Sequence, residues 1–141
     1  MPIDFHHDRN QGTYATRSAD PRWGDAMRAI IDPLDTIVAD IGCGGGIYSR
    51  AWSDLGARSV TGIDFSARMV DDAREASAGY PALEFRQGDA TATGLPDASV
   101  DIVFERALVH HLPDLDAAFD EASRILLPGG TLIVQDRTMD D

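Results

Sequence analysis

Between residues 20 and 136, short apolar runs alternate with segments whose apolar side chains recur every three or four positions. The first kind reads as buried strand and the second as amphipathic helix. Residues 1–19 fit neither, being polar and irregular with aromatics scattered at Phe5 and Tyr14. Asp20-Pro21 then has the form of an N-cap followed by proline at the first helical position, and predicts a helix through RWGDAMRAIID that stops before Pro33. TIVADI, 36–41, predicts the first strand, and a helix follows from Ile47 to Gly56, a glycine suited to a left-handed stop. SVTGID, 59–64, predicts the second strand; Ser66 caps the next helix, which places Met69, Val70, Ala73 and Ser77 on one face. ALEFRQ, 82–87, and VDIVFE, 100–105, predict strands three and four. A last helix opens near Asp114, with Leu115, Ala118, Phe119, Ala122, Ile125 and Leu126 at helical spacing. PGG at 128–130 is expected to end it, and TLIVQD, 131–136, predicts the fifth strand.

Strands alternating with helices predict an α/β fold, a doubly wound parallel sheet with helices on its faces. In such a sheet the crossovers are right-handed and ligands sit at the carboxyl ends of the strands. The chemistry-bearing residues of this chain fall at those ends.

Composition narrows the classes of function. The 141 residues are 43 % apolar, enough for one globular domain with a real core. Twenty-four acidic against twelve basic residues give a formal charge of −12. Such a chain gains nothing from counterion release on phosphates, which argues against nucleic acid and against anionic lipid. No apolar run is long enough for a membrane span, and MPIDFHHDRN lacks the pattern of a secretory signal, so a cytoplasmic protein is the expectation. One cysteine, Cys43, allows neither an internal disulfide nor a thiolate cluster, and no metal is expected.

Acids end three strands, at Asp40, Asp64 and Glu105, and Asp89 follows the third strand in QGDA. Acids at strand tips suit a ligand rich in donors or positive charge. After Asp40 the loop GCGGG removes side chains, so that a ligand can lie against main chain. With Ser66 as the helix cap, Asp64 is expected to be free, and its separation from the glycines suits a carboxylate accepting from both ribose hydroxyls. Phe65 could cover one face of a base, while Asp89 and the Ala90 N–H could read its edge. A dinucleotide fits poorly: G-x-G-x-x-G needs glycine where Ile47 or Ser49 stands, and a pyrophosphate would be repelled by Asp40. An ammonium group would be welcome there. Nucleoside plus ammonium describes S-adenosyl-L-methionine.

DIGCGGG resembles the D-x-G-x-G-x-G motif of class I S-adenosylmethionine-dependent methyltransferases. GID at 62–64, GDA at 88–90, LPDASVDIVFERALVHHL at 95–112 and ASRILLPGG at 122–130 are similar to that family's further motifs, in the same order. The likeness spans about residues 12–136 and is closest to the small-molecule branch (methyltransferase type 11-like). It implies a Rossmann-like sheet of about five strands in the order 3-2-1-4-5. By position it implies that Asp40, Gly42, Cys43 and Gly44 surround the methionine end of the cofactor, and that Asp64 holds the ribose. Phe65 would pack on adenine, Asp89 and Ala90 would read its edge, the main-chain carbonyl of Glu105 would meet the ammonium, and Met69 and Gly88 complete the set of cofactor-binding residues. GTYATRSADPRW resembles the N-terminal segment that closes over the cofactor, so residues 1–19 are read as a lid, with Tyr14 near the sulfonium and Arg17 near the carboxylate, and 20–141 as the cofactor-binding domain.

A sulfonium methyl is already activated, so the protein must align the acceptor and exclude water. A general base is needed only for a weakly acidic acceptor, and His110 or His111 is the candidate. Cys43 is expected to fit beneath the cofactor and not to act as a nucleophile. The family's sheet continues with a helix and an antiparallel hairpin beside the acceptor pocket, which this chain lacks. The fifth strand is then an uncovered apolar edge, expected to pair with a copy of the chain or a partner subunit. The expected function is methyl transfer to a small-molecule acceptor; the alternative is a catalytically incomplete cofactor-binding module or partner subunit.

Overall fold

The computed structural model describes residues 18–106 and 114–135. In chain order these form α1 (Pro21–Ile30), β1 (Ile37–Ile41), α2 (Ile47–Asp54), β2 (Ser59–Asp64), α3 (Ala67–Ala76), β3 (Leu83–Gln87), β4 (Val100–Arg106), α4 (Leu115–Ile125) and β5 (Leu126–Gln135). Three helices start on the expected side chains. Asp20 accepts from the Arg22 N–H at 2.9 Å, Ser66 from Met69 at 3.2 Å and Asp114 from Ala117 at 2.9 Å. Each satisfies a donor that the first helical turn cannot.

The strands lie in the order β3-β2-β1-β4-β5, all parallel, with helices on both faces. This is the doubly wound, Rossmann-like arrangement expected from the alternation of elements. Register decides what each face buries. Val38, Val60, Ile102, Phe104 and Ile133 pack against Trp23 and Met27 of α1 and Trp52 of α2. Trp23 meets Trp52 and Phe104 edge-on at centroid distances of 5.2 and 5.4 Å, a favoured aromatic geometry. Its indole N–H donates to Gln135 Oε1 at 3.0 Å, tying α1 to the far strand. The opposite face packs Ala39, Ile41, Ile63 and Val103 against Ala122 and Ile125 of α4. Because both faces are covered, β1 is almost wholly buried, and its terminal acid is carried into the interior with it.

One boundary differs from the sequence expectation. PGG does not end the last helix: α4 stops at Ile125, and Leu126 is already extended at φ −74°, ψ 136°. The cause is tertiary. The N–H groups of Ala98 and Ser99, just before β4, donate to the carbonyls of Arg124 and Ile125 at 2.9 and 2.7 Å, taking the acceptors a further turn would need. Leu126 then pairs with Val100 and Thr131 with Ile102, so Pro128–Gly130 form an excursion inside β5. In the same way α1 ends at Ile30, two residues before the expected Asp32. Among the described residues no helix is long and apolar enough to cross a membrane.

The tightest approach beneath the strand tips is at Gly62 of β2, where an added Cβ would lie 2.6 Å from Phe85 Cδ1 and 3.0 Å from Cys43 Sγ. Gly62→Ala is therefore expected to cost about 1–3 kcal/mol by overpacking. Gly79→Ala, where nothing lies within 4 Å, should change stability by less than about 0.5 kcal/mol. Urea unfolding of both variants checks the contrast.

Candidate functional site

The loop between β1 and α2 is built on alternate glycines. Gly42, Gly44 and Gly46 have φ of +76°, +54° and +86°, values that side chains resist. That geometry turns the loop's N–H groups inward. Gly42 and Cys43 both donate to the Ile63 carbonyl at 2.7 and 3.0 Å, Gly46 donates to Cys43, and Gly44 donates to Asp64 Oδ2 at 2.8 Å. The Gly42 carbonyl accepts no hydrogen bond from the described residues. The N–H groups of Gly42, Cys43, Gly44 and Gly46 are thus engaged, and the Gly42 carbonyl lies open beside them. Sequence reasoning expected a ligand to lie against this main chain; the structure takes four of the loop's five amides for the protein's own contacts.

Asp64, at the end of β2, is not free as expected. Its Oδ2 holds Gly44 and its Oδ1 accepts from the Ser66 N–H at 2.9 Å, so one carboxylate clamps the glycine loop and the entry to α3. Each carboxylate oxygen keeps a further lone-pair direction, enough for two ligand hydroxyls. Beside it Phe65 is 76 % exposed, a flat apolar face directed to solvent. Met69, half-buried on α3, reaches within 3.4 Å of where a Gly44 Cβ would stand and closes the inner wall.

Asp40 behaves differently. It is buried, and Ser49 Oγ donates to its Oδ2 at 2.6 Å. Burial pushes its carboxyl up to about 6 from the ordinary 3.8; the Ser49 hydrogen bond opposes the rise and the charge of Asp64 adds to it. Asp40 thus fixes the start of α2 against β1. Neither Ser49 nor Arg50 was legible as a site residue. Arg50 Nη1 donates to the Gly45 carbonyl and to Ser77 Oγ, each at 3.0 Å, so it props the loop from below.

At the end of β3, Gly88 donates to the Asp64 carbonyl at 2.9 Å, bringing the third strand tip beside the second. Asp89 Oδ1 accepts from both the N–H and the hydroxyl of Thr91 at 2.8 Å, which holds its carboxyl below the ordinary range. Its Oδ2 has no partner among the described residues, and Ala90 sits half-buried next to it. The segment they open is pinned to α4. Glu121 Oε2 takes the Thr93 N–H and hydroxyl at 2.8 and 2.7 Å, and Arg124 Nη2 reaches the Leu95 carbonyl at 2.7 Å. The Arg124 hydrogen bond is the chief reason that the Glu121 carboxyl is held at about 2.

Glu105 lies at the tip of β4, 1 % exposed. Cys43 is buried under the loop, and burial drives its thiol far above the thiolate range, as expected of a residue that is no nucleophile. Asp40, Gly42, Cys43, Gly44, Asp64, Phe65, Met69, Gly88, Asp89, Ala90 and Glu105 thus gather at the tips of four neighbouring strands. Tyr14, Arg17, His110 and His111 lie outside the described residues. A cleft of about 330 Å³ between α1 and α2, lined by Trp23, Arg50, Asp54 and Tyr80 among others, contains none of the strand-tip acids.

A family profile described as a methyltransferase domain matches residues 39–134, from the strand before the glycine loop to β5. The chain belongs to the methyltransferase-domain family, in the class I S-adenosylmethionine-dependent group. Among relatives of this methyltransferase domain, a malonyl-[acyl-carrier protein] O-methyltransferase of Serratia marcescens is 39% identical over 94 residues, covering 67% of this chain and 35% of the relative. A 2-methyl-6-phytyl-1,4-hydroquinone methyltransferase of Synechocystis is 36% identical over 104 residues, 74% of this chain and 33% of the relative. The crystal structure of an S-adenosylmethionine dependent methyltransferase from Mesorhizobium loti superposes with a TM-score of 0.69 at 28% identity, covering 78% of this chain and 50% of that one. The chain thus spans about a third of the length of the curated relatives it matches.

The raised Asp40 carboxyl has a sign that can be measured. A folded-state value above the unfolded one means that the folded methyltransferase domain binds the extra proton. The stability it contributes is complete below pH 3.8 and lost as pH rises to about 6. Asp40→Asn keeps an acceptor for Ser49 and removes the titration. Relative to wild type it should gain up to about 3 kcal/mol between pH 4 and pH 7.5, read from urea midpoints at the two values.

Proposed function

We propose that the protein binds S-adenosyl-L-methionine and transfers its methyl group to a small-molecule acceptor in the cytoplasm. The observation that supports this reading is the glycine loop, where Ile63 and Asp64 engage the amides of Gly42, Cys43 and Gly44, an acid stands behind the loop, and the Gly42 carbonyl accepts nothing from the described residues. A dinucleotide phosphate needs the reverse, free amides and no acid behind them. When bound, the cofactor supplies a methyl group already activated as a sulfonium. The chain's own residues then have three tasks: to bind, to orient and to keep water away.

The carbonyls of Gly42 and Glu105 would take the ammonium, and Asp64 the two ribose hydroxyls through its remaining lone pairs. Phe65 would cover adenine, Met69 would pack behind it, and Asp89 Oδ2 with the Ala90 N–H would read its edge. Tyr14 and Arg17, in the segment 1–19 read as a lid, would close over the methionine end. Carbonyls and an aromatic face stabilise positive charge without forming a bond, the latter by roughly 0.5–2 kcal/mol. His110 or His111 would accept a proton from an acceptor too weakly acidic to lose it first. The charge of −12 speaks against nucleic acid as the acceptor. The relatives' names include a carboxylate methylated at oxygen and a hydroquinone, both small or carrier-borne groups.

A second reading, a cofactor-binding module or partner subunit, is favoured by the outer edge of β5. No strand pairs with that edge among the described residues, and Val134 beside it is exposed. An apolar strand edge invites a partner. We propose that this edge pairs with a second copy or another subunit. Sedimentation should then show association that a lysine at Val134 weakens; a monomer at high concentration removes the proposal.

Calorimetry should detect uptake of S-adenosylhomocysteine and none of NAD. Asp64→Ala removes the clamp on Gly44 and the ribose acceptor together, and should weaken S-adenosylhomocysteine at least about tenfold. Unchanged affinity would withdraw the ribose assignment. Methyl transfer in a panel of small acceptors separates an enzyme from a binder.

A further inference from the structure

One buried acid does nothing for the fold. Glu105 is 1 % exposed, and its Oε1 accepts no hydrogen bond from the described residues. Register sets it between Ile41 of β1 and Val134 of β5, on the face that carries Ile63, Val103 and Ala122. A lone carboxylate among aliphatic side chains costs several kcal/mol, and an apolar residue of similar volume would serve the sheet better. Burial alone pushes its carboxyl up to about 7.

Among the described residues the charged groups around this face are engaged elsewhere or exposed, Asp101 of β4 accepting from the Ile37 N–H. Glu121 and Arg124 of α4 pair with each other, and Arg124 also with Asp97 of the segment before β4. Asp114, Asp116 and Asp120 of α4, and Asp89 after β3, are exposed. Asp40 on β1 turns to the opposite face toward Ser49. Glu105 pairs in register with Ile41, the residue immediately before Gly42 and its open carbonyl. Among the described residues this carboxyl has no partner, and it lies one strand from the open Gly42 carbonyl.

We infer that the Glu105 side chain is the counter-charge for the cationic end of the cofactor, protonated in the empty protein on the acid side of neutrality and ionised when the sulfonium and ammonium dock beside Gly42. The inference rests on the cofactor reading above. Its balance is simple: the carboxyl O–H releases its proton to solvent as the ligand binds, and no other bond changes. The carboxylate acts through its field across the strand tip, so it favours S-adenosylmethionine, with the extra sulfonium charge, over S-adenosylhomocysteine.

Calorimetric titration of the full chain with both ligands from pH 6 to pH 8, beside Glu105→Gln, tests it. Glutamine keeps the shape and removes the charge, and comparison with wild type cancels the titration of the ligand's amino group and of Asp40. The wild-type preference for S-adenosylmethionine should exceed the variant's by about tenfold, and wild-type affinity relative to the variant should fall about tenfold from pH 8 to pH 6. An equal preference and an equal pH profile overturn the inference while leaving the cofactor reading intact. No uptake of either ligand by folded wild type overturns both. If Glu105→Gln does not fold, wild-type titrations in two buffers of different ionisation enthalpy decide. Proton release that grows as the pH is lowered from 8 to 6 supports the assignment, and no such growth overturns it.

Discussion

The Asp64 carboxylate receives the Gly44 N–H on one oxygen and the Ser66 N–H on the other, and the strand tips take their shape from that pair of contacts. A single acid at the end of β2 thereby fixes the glycine loop that leaves β1 and the turn that enters α3. Charge-assisted hydrogen bonds to backbone amides are short and strong, so the loop is held before any ligand arrives. The left-handed glycines let the chain curl tightly enough for four N–H groups to point inward. What these contacts leave open at the loop is the Gly42 carbonyl, which accepts nothing from the described residues.

The same economy places two more acids where water cannot reach them. Asp40 and Glu105 end adjacent strands but face opposite sides of the sheet, because neighbouring positions in a parallel register alternate. Asp40 finds Ser49; Glu105 finds nothing among the described residues. Both carboxyls are raised by burial, yet only the first is part of the fold's own hydrogen bonding. A sheet covered on both faces produces this situation whenever an acid stands at a strand end, since burial extends to the last paired residue.

Across the sheet, Trp23, Trp52 and Phe104 lock α1 and α2 to the strands, while the Glu121–Arg124 pair anchors the segment that carries Asp89 and Ala90. The strand-tip surface proposed for the cofactor thus rests on opposite layers of the molecule. Its glycine loop is supported from the α2 side by Arg50 and its far end from the α4 side by Arg124.

Periodicity was enough to read the alternation of elements and the gathering of Asp40, Asp64, Asp89 and Glu105 at strand ends; the strand order was implied by the family resemblance. Those features depend on side-chain type and on spacing along the chain, which a sequence states directly. The caps Asp20, Ser66 and Asp114 belong with them, because a cap acts within three residues of itself. Tertiary structure alone decided where α4 ends, since the carbonyls of Arg124 and Ile125 are taken by N–H groups some 26 residues earlier. It also decided that Asp64 is a clamp, that four of the loop's amides are taken within the protein, that Ser49 holds Asp40 and that Arg50 props the loop. Each is a hydrogen bond between positions whose separation carries no local signal. A sequence fixes which groups exist; only the folded chain determines which of them are already spoken for.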